Sequence, residues 1–171
     1  MMDTMQIKNV MKNNIKTKQY FRGVFASDKL PKTKISKPSC FIVNTDPSSK
    51  PGTHWVAIYF PKTGNAEYFD SFGMQPKIKS ILKFISVNNK NYTFNKIQLQ
   101  NVFSAACGNY CCEYLLHRCM GKSRSSFLKN YKVNNTLFND QLTIKNFNIH
   151  FMKKHEFSRK KKKHINKLKS F

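Results

Sequence analysis

The sequence predicts one folded domain of mixed helices and strands, spanning residues 1–152, followed by a basic tail at 153–171. Three observations carry that prediction. First, 171 residues suffice for one ordinary core, and a hydrophobic content of 40% with 15 phenylalanines argues for a folded chain over a disordered one. Second, two β-rich runs, 54–60 (HWVAIYF) and 66–70 (AEYFD), flank the Gly-containing turn at 61–65 and read as a hairpin. Third, residues 98–120 pass from an extended run through Ser104-Ala105-Ala106 into a segment of helical character that opens at Cys107-Gly108.

Taken in order, Asp3 caps a first helix in which Ile7, Val10 and Met11 fall at i, i+3 and i+4. Residues 20–38 carry the aromatic anchors Tyr20, Phe21 and Phe25 among Gly, Pro and Lys without periodicity, and read as a loop. Residues 40–43 form a short apolar strand, and 44–52 (NTDPSSKPG) are dense in turn formers. Folding the hairpin about its turn returns the start of the first strand to the end of the second. His54 and Asp70 thereby become neighbours across the ladder, with the register open by one or two residues. The segment 75–85 sets Ile78, Ile81, Leu82 and Ile85 on one helical face. After a polar turn at 88–91, a strand over 92–99 delivers Gln100. The cysteine helix ends near Gly121, a natural residue just past a helix end. Residues 122–138 are mixed, a last amphipathic helix runs over 139–152, and the final nineteen residues contain nine Lys and Arg, a charge run that repels itself.

Thirty-one Lys and Arg against eight Asp and Glu give a net charge of +23. A balance that basic implies a polyanionic partner, nucleic acid ahead of an anionic membrane surface, with a merely solvated basic surface as the plain alternative. Five cysteines, four of them within 107–119, do not make a secreted disulfide framework and point to a reducing compartment. No secretory signal is expected, because the first residues lack an apolar core segment, and the longest apolar run, 55–60, is too short to span a bilayer. A soluble monomer, not secreted, is expected inside a cell or carried inside a particle made there, with no membrane partner.

The first N–H groups of a helix are unsatisfied and lie at the positive end of its dipole, so a thiolate placed there is stabilised. Cys107 occupies that position, whereas Cys111, Cys112 and Cys119 at helical offsets are most simply core. A thiol nucleophile also needs a base, a group to orient that base, and donors for an oxyanion. Of five histidines, His155 and His164 lie in the tail, His117 is nearly three turns beyond Cys107 and His150 is in the last helix, which leaves His54 as the base. Among the carboxylates, Asp70 is the one that the hairpin sets beside His54, where it would fix the imidazole tautomer. A turn aspartate and a packing histidine remain an equally good account of that pair taken alone. Gln100, seven residues before Cys107, can curl back and share an oxyanion with the Cys107 backbone N–H, although a strand-end glutamine is usually a plain polar residue.

The order His, Asp, Gln, Cys, with the strings THWVAIYF, EYFDSFG and SAACGNYCCEYL, closely resembles the adenovirus-type (adenain) cysteine endopeptidases and their relatives in Maverick/Polinton elements and other large DNA viruses. YFRGVF at 20–25 and CFIVNT at 40–45 extend the likeness over most of residues 1–120. The resemblance implies an α+β fold, a small mixed or antiparallel sheet packed against a central helix carrying the cysteine. Site geometry would be papain-like with a permuted chain order. It implies His54 as base, Asp70 as acid, Gln100 and the Cys107 amide as oxyanion hole, Cys107 as nucleophile, and Trp55 and Asn44 as residues that support the site or contact substrate. It also implies cleavage of viral precursor proteins at Gly-containing sites during particle maturation, in the virion or the host cell interior, with no cofactor needed for the chemistry but activation by DNA or a viral peptide. Arg159, Lys160, Lys161, Lys162 and Lys163 are the candidate DNA contacts.

Three departures stand out. The region 87–96 has no cysteine where the mammalian adenovirus enzyme uses one to bind its peptide cofactor, which counts against disulfide-linked activation. Val102-Phe103 replaces the frequent Pro-Asn before the nucleophile, and beyond Gly121 almost nothing matches. The competing readings are a deconjugase that removes a ubiquitin-like protein, and a non-enzymatic DNA-packaging protein whose cysteines are structural. A zinc site drawn from Cys107, Cys111, Cys112, His117 and Cys119 is weaker, because ligands within one helix lack the two separated pairs of common zinc modules. No metal is expected.

Overall fold

Two strands that bury every residue decide the architecture. In a computed structural model, which describes residues 1–152, β2 (Ser39–Asn44) and β3 (Trp55–Phe60) are each buried along all six positions. Because successive side chains of a strand point to opposite faces, full burial requires cover on both sides of the sheet. On one face Cys40, Ile42, Trp55, Ala57 and Tyr59 join a core with Ile7 and Met11 of α1 (Thr4–Asn13) and Tyr110, Tyr114 and Leu115 of α3 (Cys107–Cys119). On the other, Phe41, Val43, Val56, Ile58 and Phe60 meet Ile81, Phe84 and Ile85 of α2 (Lys79–Asn88). The result is a helix–sheet–helix sandwich of the α+β class, as expected.

The sheet is mixed, in the order β1-β2-β3-β4-β5. β1 (Phe21–Ala26) lies parallel to β2, β2 and β3 are antiparallel, β3 and β4 (Ala66–Phe69) form the expected hairpin, and β5 (Tyr92–Phe94) runs parallel to β4. α1 carries a complete capping box between Asp3 and Gln6. α3 ends at the expected place, followed by Gly121 at φ +77°. No helix among the described residues is long and apolar enough to cross a membrane.

Several elements differ from the sequence expectation. The loop at 20–38 contains β1; its register shifts between Phe21 and Gly23, and a half-buried edge strand interrupted in this way shows no alternation. The strand over 92–99 stops after three residues, because Asn95 turns its side chain onto the backbone of Asp70 and residues 96–98 face solvent. Within 122–138, Ser123 caps the short helix α4 (Arg124–Leu128). The last helix, α5 (Thr136–Phe147), starts three residues earlier than expected because Asn135 caps it, and it passes into a π-helical turn at Asn148–Met152. The tail, with Arg159 to Lys163, lies outside the described residues.

The chain leaves β4 through Asp70, Ser71 and Phe72 to Gly73, whose N–H donates to the Asp70 carbonyl at 2.8 Å. Gly73 sits at φ +72°, and a Cβ there would meet the Ile97 carbonyl carbon at 2.7 Å and the Gln98 nitrogen at 2.9 Å, whereas one at Gly121 would meet nothing within 4 Å. Both positions share the left-handed backbone that costs an L-residue about 1–2 kcal/mol. Gly73→Ala is therefore expected to lower stability clearly more than Gly121→Ala in denaturant titrations, and equal effects would show that the packing of the 70–73 turn on residues 97–98 is unimportant.

Candidate active site

Cys107 is the first residue of α3, and its N-cap, Ala106, offers no side-chain acceptor, so the opening N–H groups of the helix are left uncapped around the thiol. The residue is 1% exposed. α3 lies along β3, and Cys111 donates its S–H to the Trp55 carbonyl at 3.3 Å, which holds the start of the helix against the start of the strand.

His54 immediately precedes β3, and its carbonyl accepts from the Thr45 N–H at 2.9 Å. Its Nε2 lies 2.9 Å from Asp70 Oδ1. The ladder pairs Ala57 with Phe69, so its continuation sets Val56 opposite Asp70 and His54 opposite Phe72. His54 and Asp70 are thus diagonal neighbours on one face, two residues out of direct register, and the His54 ring stacks on Phe72 with centroids 4.9 Å apart. Asp70 Oδ1 also accepts the Phe72 N–H at 2.8 Å. With Nε2 engaged by the carboxylate, Nδ1 is the ring nitrogen left for the thiol. Burial opposes the charged imidazole, but the hydrogen bond to Asp70 and the neighbouring Cys107 sulfur outweigh it and raise the His54 pKa to about 9.

Gln100 is buried, and both ends of its amide are engaged: Oε1 accepts from Ser71 Oγ at 2.6 Å and Nε2 donates to the Ser104 carbonyl at 2.8 Å. The backbone around it is held from two sides. Leu99 and Gln100 donate their N–H groups to the Ser71 carbonyl at 2.8 and 3.1 Å. The Leu99 carbonyl accepts from Asn139 Nδ2 at 3.2 Å, and the Tyr110 hydroxyl, also 3.2 Å away, shares its single proton between this carbonyl and Asp140 Oδ1.

The residues that sequence reasoning missed are those that grip backbone. Asn95 accepts the Asp70 N–H at 3.0 Å and donates to the Asp70 carbonyl at 2.6 Å, standing in for a ladder partner. Asn139, with Asp140, which accepts from Tyr110 Oη at 2.9 Å, ties α5 to the loop leading to Cys107. In a chain rich in Asn no spacing distinguishes these from surface residues.

Trp55 and Asn44 stand side by side at the ends of β3 and β2 and line a cleft of about 440 Å³. The loop 46–52 forms one wall and Met1 to Thr4 another. Trp55 Nε1 donates to the Met2 carbonyl at 2.9 Å, while Asn44 Oδ1 accepts the Asp46 N–H at 2.9 Å. The remaining histidines of the described residues are committed elsewhere, His117 to Ser126 and His150 to Glu113. Cys111 and Cys112 are enclosed in the core, where burial pushes both thiols well up. Cys119 faces Cys40 at 3.9 Å between sulfurs. Cys107 and Cys119 stand at opposite ends of a helix about 18 Å long, too far apart to share an ion, and among the described residues no three His, Cys, Asp or Glu side chains converge as metal ligands.

Residues 21–170 match the adenovirus endoprotease family. The protease of bovine adenovirus 2 is 33% identical over 109 residues, which cover 56% of this chain and 53% of that protein. The protease of human adenovirus A serotype 12 is 34% identical over 113 residues, covering 56% and 54%. The chain spans about half the length of these curated relatives. The crystal structure of an ASFV protease aligns with a TM-score of 0.53 over 84% of this chain and 66% of that one at 16% identity, a likeness of fold. A thiol at the head of a central helix, an imidazole and carboxylate on the hairpin beside it, and a sequence match across most of the molecule lead to one conclusion: the chain belongs to the adenovirus endoprotease family.

Proposed function

We propose that the protein is a cysteine endopeptidase that cleaves precursor proteins at Gly-containing sites during the maturation of a viral or virus-like particle, in the virion or the host cell interior. The observation that carries this reading is the partly buried His54–Asp70 pair, held at 2.9 Å, with the His54 pKa raised in part by the Cys107 sulfur. The Cys107 sulfur therefore sits at an uncapped helix N-terminus beside an imidazole that a carboxylate orients, the arrangement a thiol nucleophile needs to attack a carbonyl.

In the proposed reaction the Cys107 thiolate adds to the scissile carbonyl, and the oxyanion takes hydrogen bonds from the Gln100 side-chain amide and the Cys107 backbone N–H. His54 Nδ1 then protonates the leaving amine, and water, deprotonated by the same imidazole, hydrolyses the thioester. Asp70 holds the ring through Nε2 throughout. Trp55, next to His54 in the chain, and Asn44 line a cleft from which they would contact the substrate. None of these steps calls on a cofactor.

The net charge of +23 supports a second property, sequence-independent binding to DNA, with Arg159 to Lys163 among its contacts and DNA as an activator. Peptide activation through a disulfide has little support: Cys40, Cys107, Cys111 and Cys112 are buried, and Cys119 alone is partly exposed.

Cys107→Ala is expected to lower kcat/KM for a Gly-containing precursor by at least ~10³-fold while leaving the circular-dichroism spectrum and melting curve of the protein in place; persisting cleavage rules out the assignment. In NMR titrations the His54 imidazole should have a midpoint near 9, and in Asp70→Asn, where burial acts with less opposition, the midpoint should fall by more than about one unit. The sign for stability follows. Since the folded-state value lies above the unfolded value of about 6.5, the contribution of His54 is complete below pH ~6.5 and is lost as pH rises through ~9. Affinity for mixed-sequence duplex DNA should fall steeply with salt and weaken when residues 153–171 are removed; salt-independent binding would count against an electrostatic interface.

A further inference from the structure

We propose that Ser71 is a positioning residue for the oxyanion hole, holding the Gln100 amide so that an N–H, and not the carbonyl oxygen, is presented to the developing charge. This inference rests on the cysteine-peptidase reading above and adds to it a residue with no part in the chemistry itself.

A glutamine amide is nearly symmetric in shape and opposite in function at its two ends. Turned by 180°, it would direct a lone pair at the oxyanion and repel it. The Ser104 carbonyl can only accept, so the atom 2.8 Å from it must be Nε2; the hydroxyl of Ser71, 2.6 Å from the other end, must then donate to Oε1. The two hydrogen bonds and the covalent bond from the amide carbon to the rest of the side chain hold the planar group at three points, which fix its plane. With Oε1 and one hydrogen of Nε2 engaged, the direction of the second hydrogen is set, and the described contacts leave that hydrogen without an acceptor. Donation to Oε1 also polarises the amide and makes the free N–H a better donor.

The hold on Gln100 extends beyond the hydroxyl. The Ser71 carbonyl accepts the N–H groups of both Leu99 and Gln100, so backbone and side chain are gripped by one residue. Ser71 is fully buried and Gln100 is 1% exposed, so water cannot replace the hydroxyl. Ser71 also follows Asp70 directly. A single dipeptide therefore orients the base through Asp70 and the oxyanion donor through Ser71, and the backbone clamp from Asn95 steadies both.

The test is a double-mutant cycle on a Gly-containing peptide substrate. Ser71→Ala is expected to lower kcat by about 10–100-fold, less than the ~10²–10³-fold of Gln100→Ala, with KM little changed because the ground-state carbonyl carries no full charge. In the Gln100→Ala background the Ser71→Ala change should have no further effect. Alkylation of Cys107 by iodoacetamide, which forms no oxyanion, should proceed at the wild-type rate in Ser71→Ala, and a general loss of fold would slow or scramble it. Should Ser71→Ala not fold, the isosteric pair Ser71→Thr and Ser71→Val repeats the comparison, with Thr keeping kcat within about threefold of wild type and Val losing it. A wild-type kcat in Ser71→Ala, an equal loss in the Gln100→Ala background, or Thr as poor as Val overturns the inference while leaving the peptidase reading intact. Absence of Cys107-dependent hydrolysis in the wild type overturns both.

Discussion

The packing of α3 along β3 is the constraint on which the rest depends. The thiol belongs to the first residue of the helix and the imidazole to the residue just before the strand, so the two meet only if helix and strand are held in one lengthwise register. Aromatic and aliphatic side chains supply that hold. Tyr110, Tyr114 and Leu115 pack on the face of β3 that carries Trp55, Ala57 and Tyr59, and Tyr114 stacks on Phe69 of β4 with ring centroids 4.3 Å apart. At the far end of the helix Arg118 pairs with Glu67 of β4 at 2.7 Å, a contact that resists sliding. β3 is the middle strand of five and is covered on both faces, so the platform under the site is the least deformable part of the sheet.

On that platform polar contacts do the fine positioning, and they do so mostly through backbone. Asn95 takes the place of a missing strand partner for Asp70. Ser71 takes both N–H groups that precede the loop to Cys107, and Tyr110 and Asn139 take the Leu99 carbonyl from the opposite side. Asn95, Ser71, Tyr110 and Asn139 are all buried, where an unpaired polar group costs roughly 1–3 kcal/mol, so the alternatives to this arrangement are expensive. Rigidity around Asp70 and Gln100 contrasts with the tip of the same loop, where Phe103 is 96% exposed and Val102 62%. The apolar tip stands four residues from the thiol, on a segment anchored at both ends.

The buried charges fit the same scheme. Desolvation by itself would strip the proton from His54, and an isolated imidazolium there would be costly. The carboxylate at 2.9 Å and the adjacent sulfur reverse that balance, so the charged state exists because a carboxylate, an imidazole and a thiol sulfur occupy one small volume. The other cysteines of α3 show the opposite case: Cys111 and Cys112 have no such partners, and burial keeps them as neutral core thiols.

Much of this was legible in the order of residues. The hairpin about residues 61–65, the cysteine helix with its glycine stop, and the approach of His54 to Asp70 follow from periodicity and turn chemistry, which are local properties of the chain. What local pattern could not supply is anything that depends on who covers whom. β1 is hidden because an edge strand with a shifted register has no alternation, and the strand expected over 92–99 ends early because Asn95 satisfies a distant backbone instead of its own ladder. The two-residue offset between His54 and Asp70, the grip of Ser71 on Gln100 and the support from Asn139 arise from segments 16, 29 and 40 residues apart, brought together by the burial of β2 and β3 on both faces. Sequence by itself determined which side chains were available for thiol chemistry and which short elements carry them. Only the tertiary structure decided their distances and orientations, because hydrogen bonds between remote backbone groups leave no periodic trace in the chain that makes them.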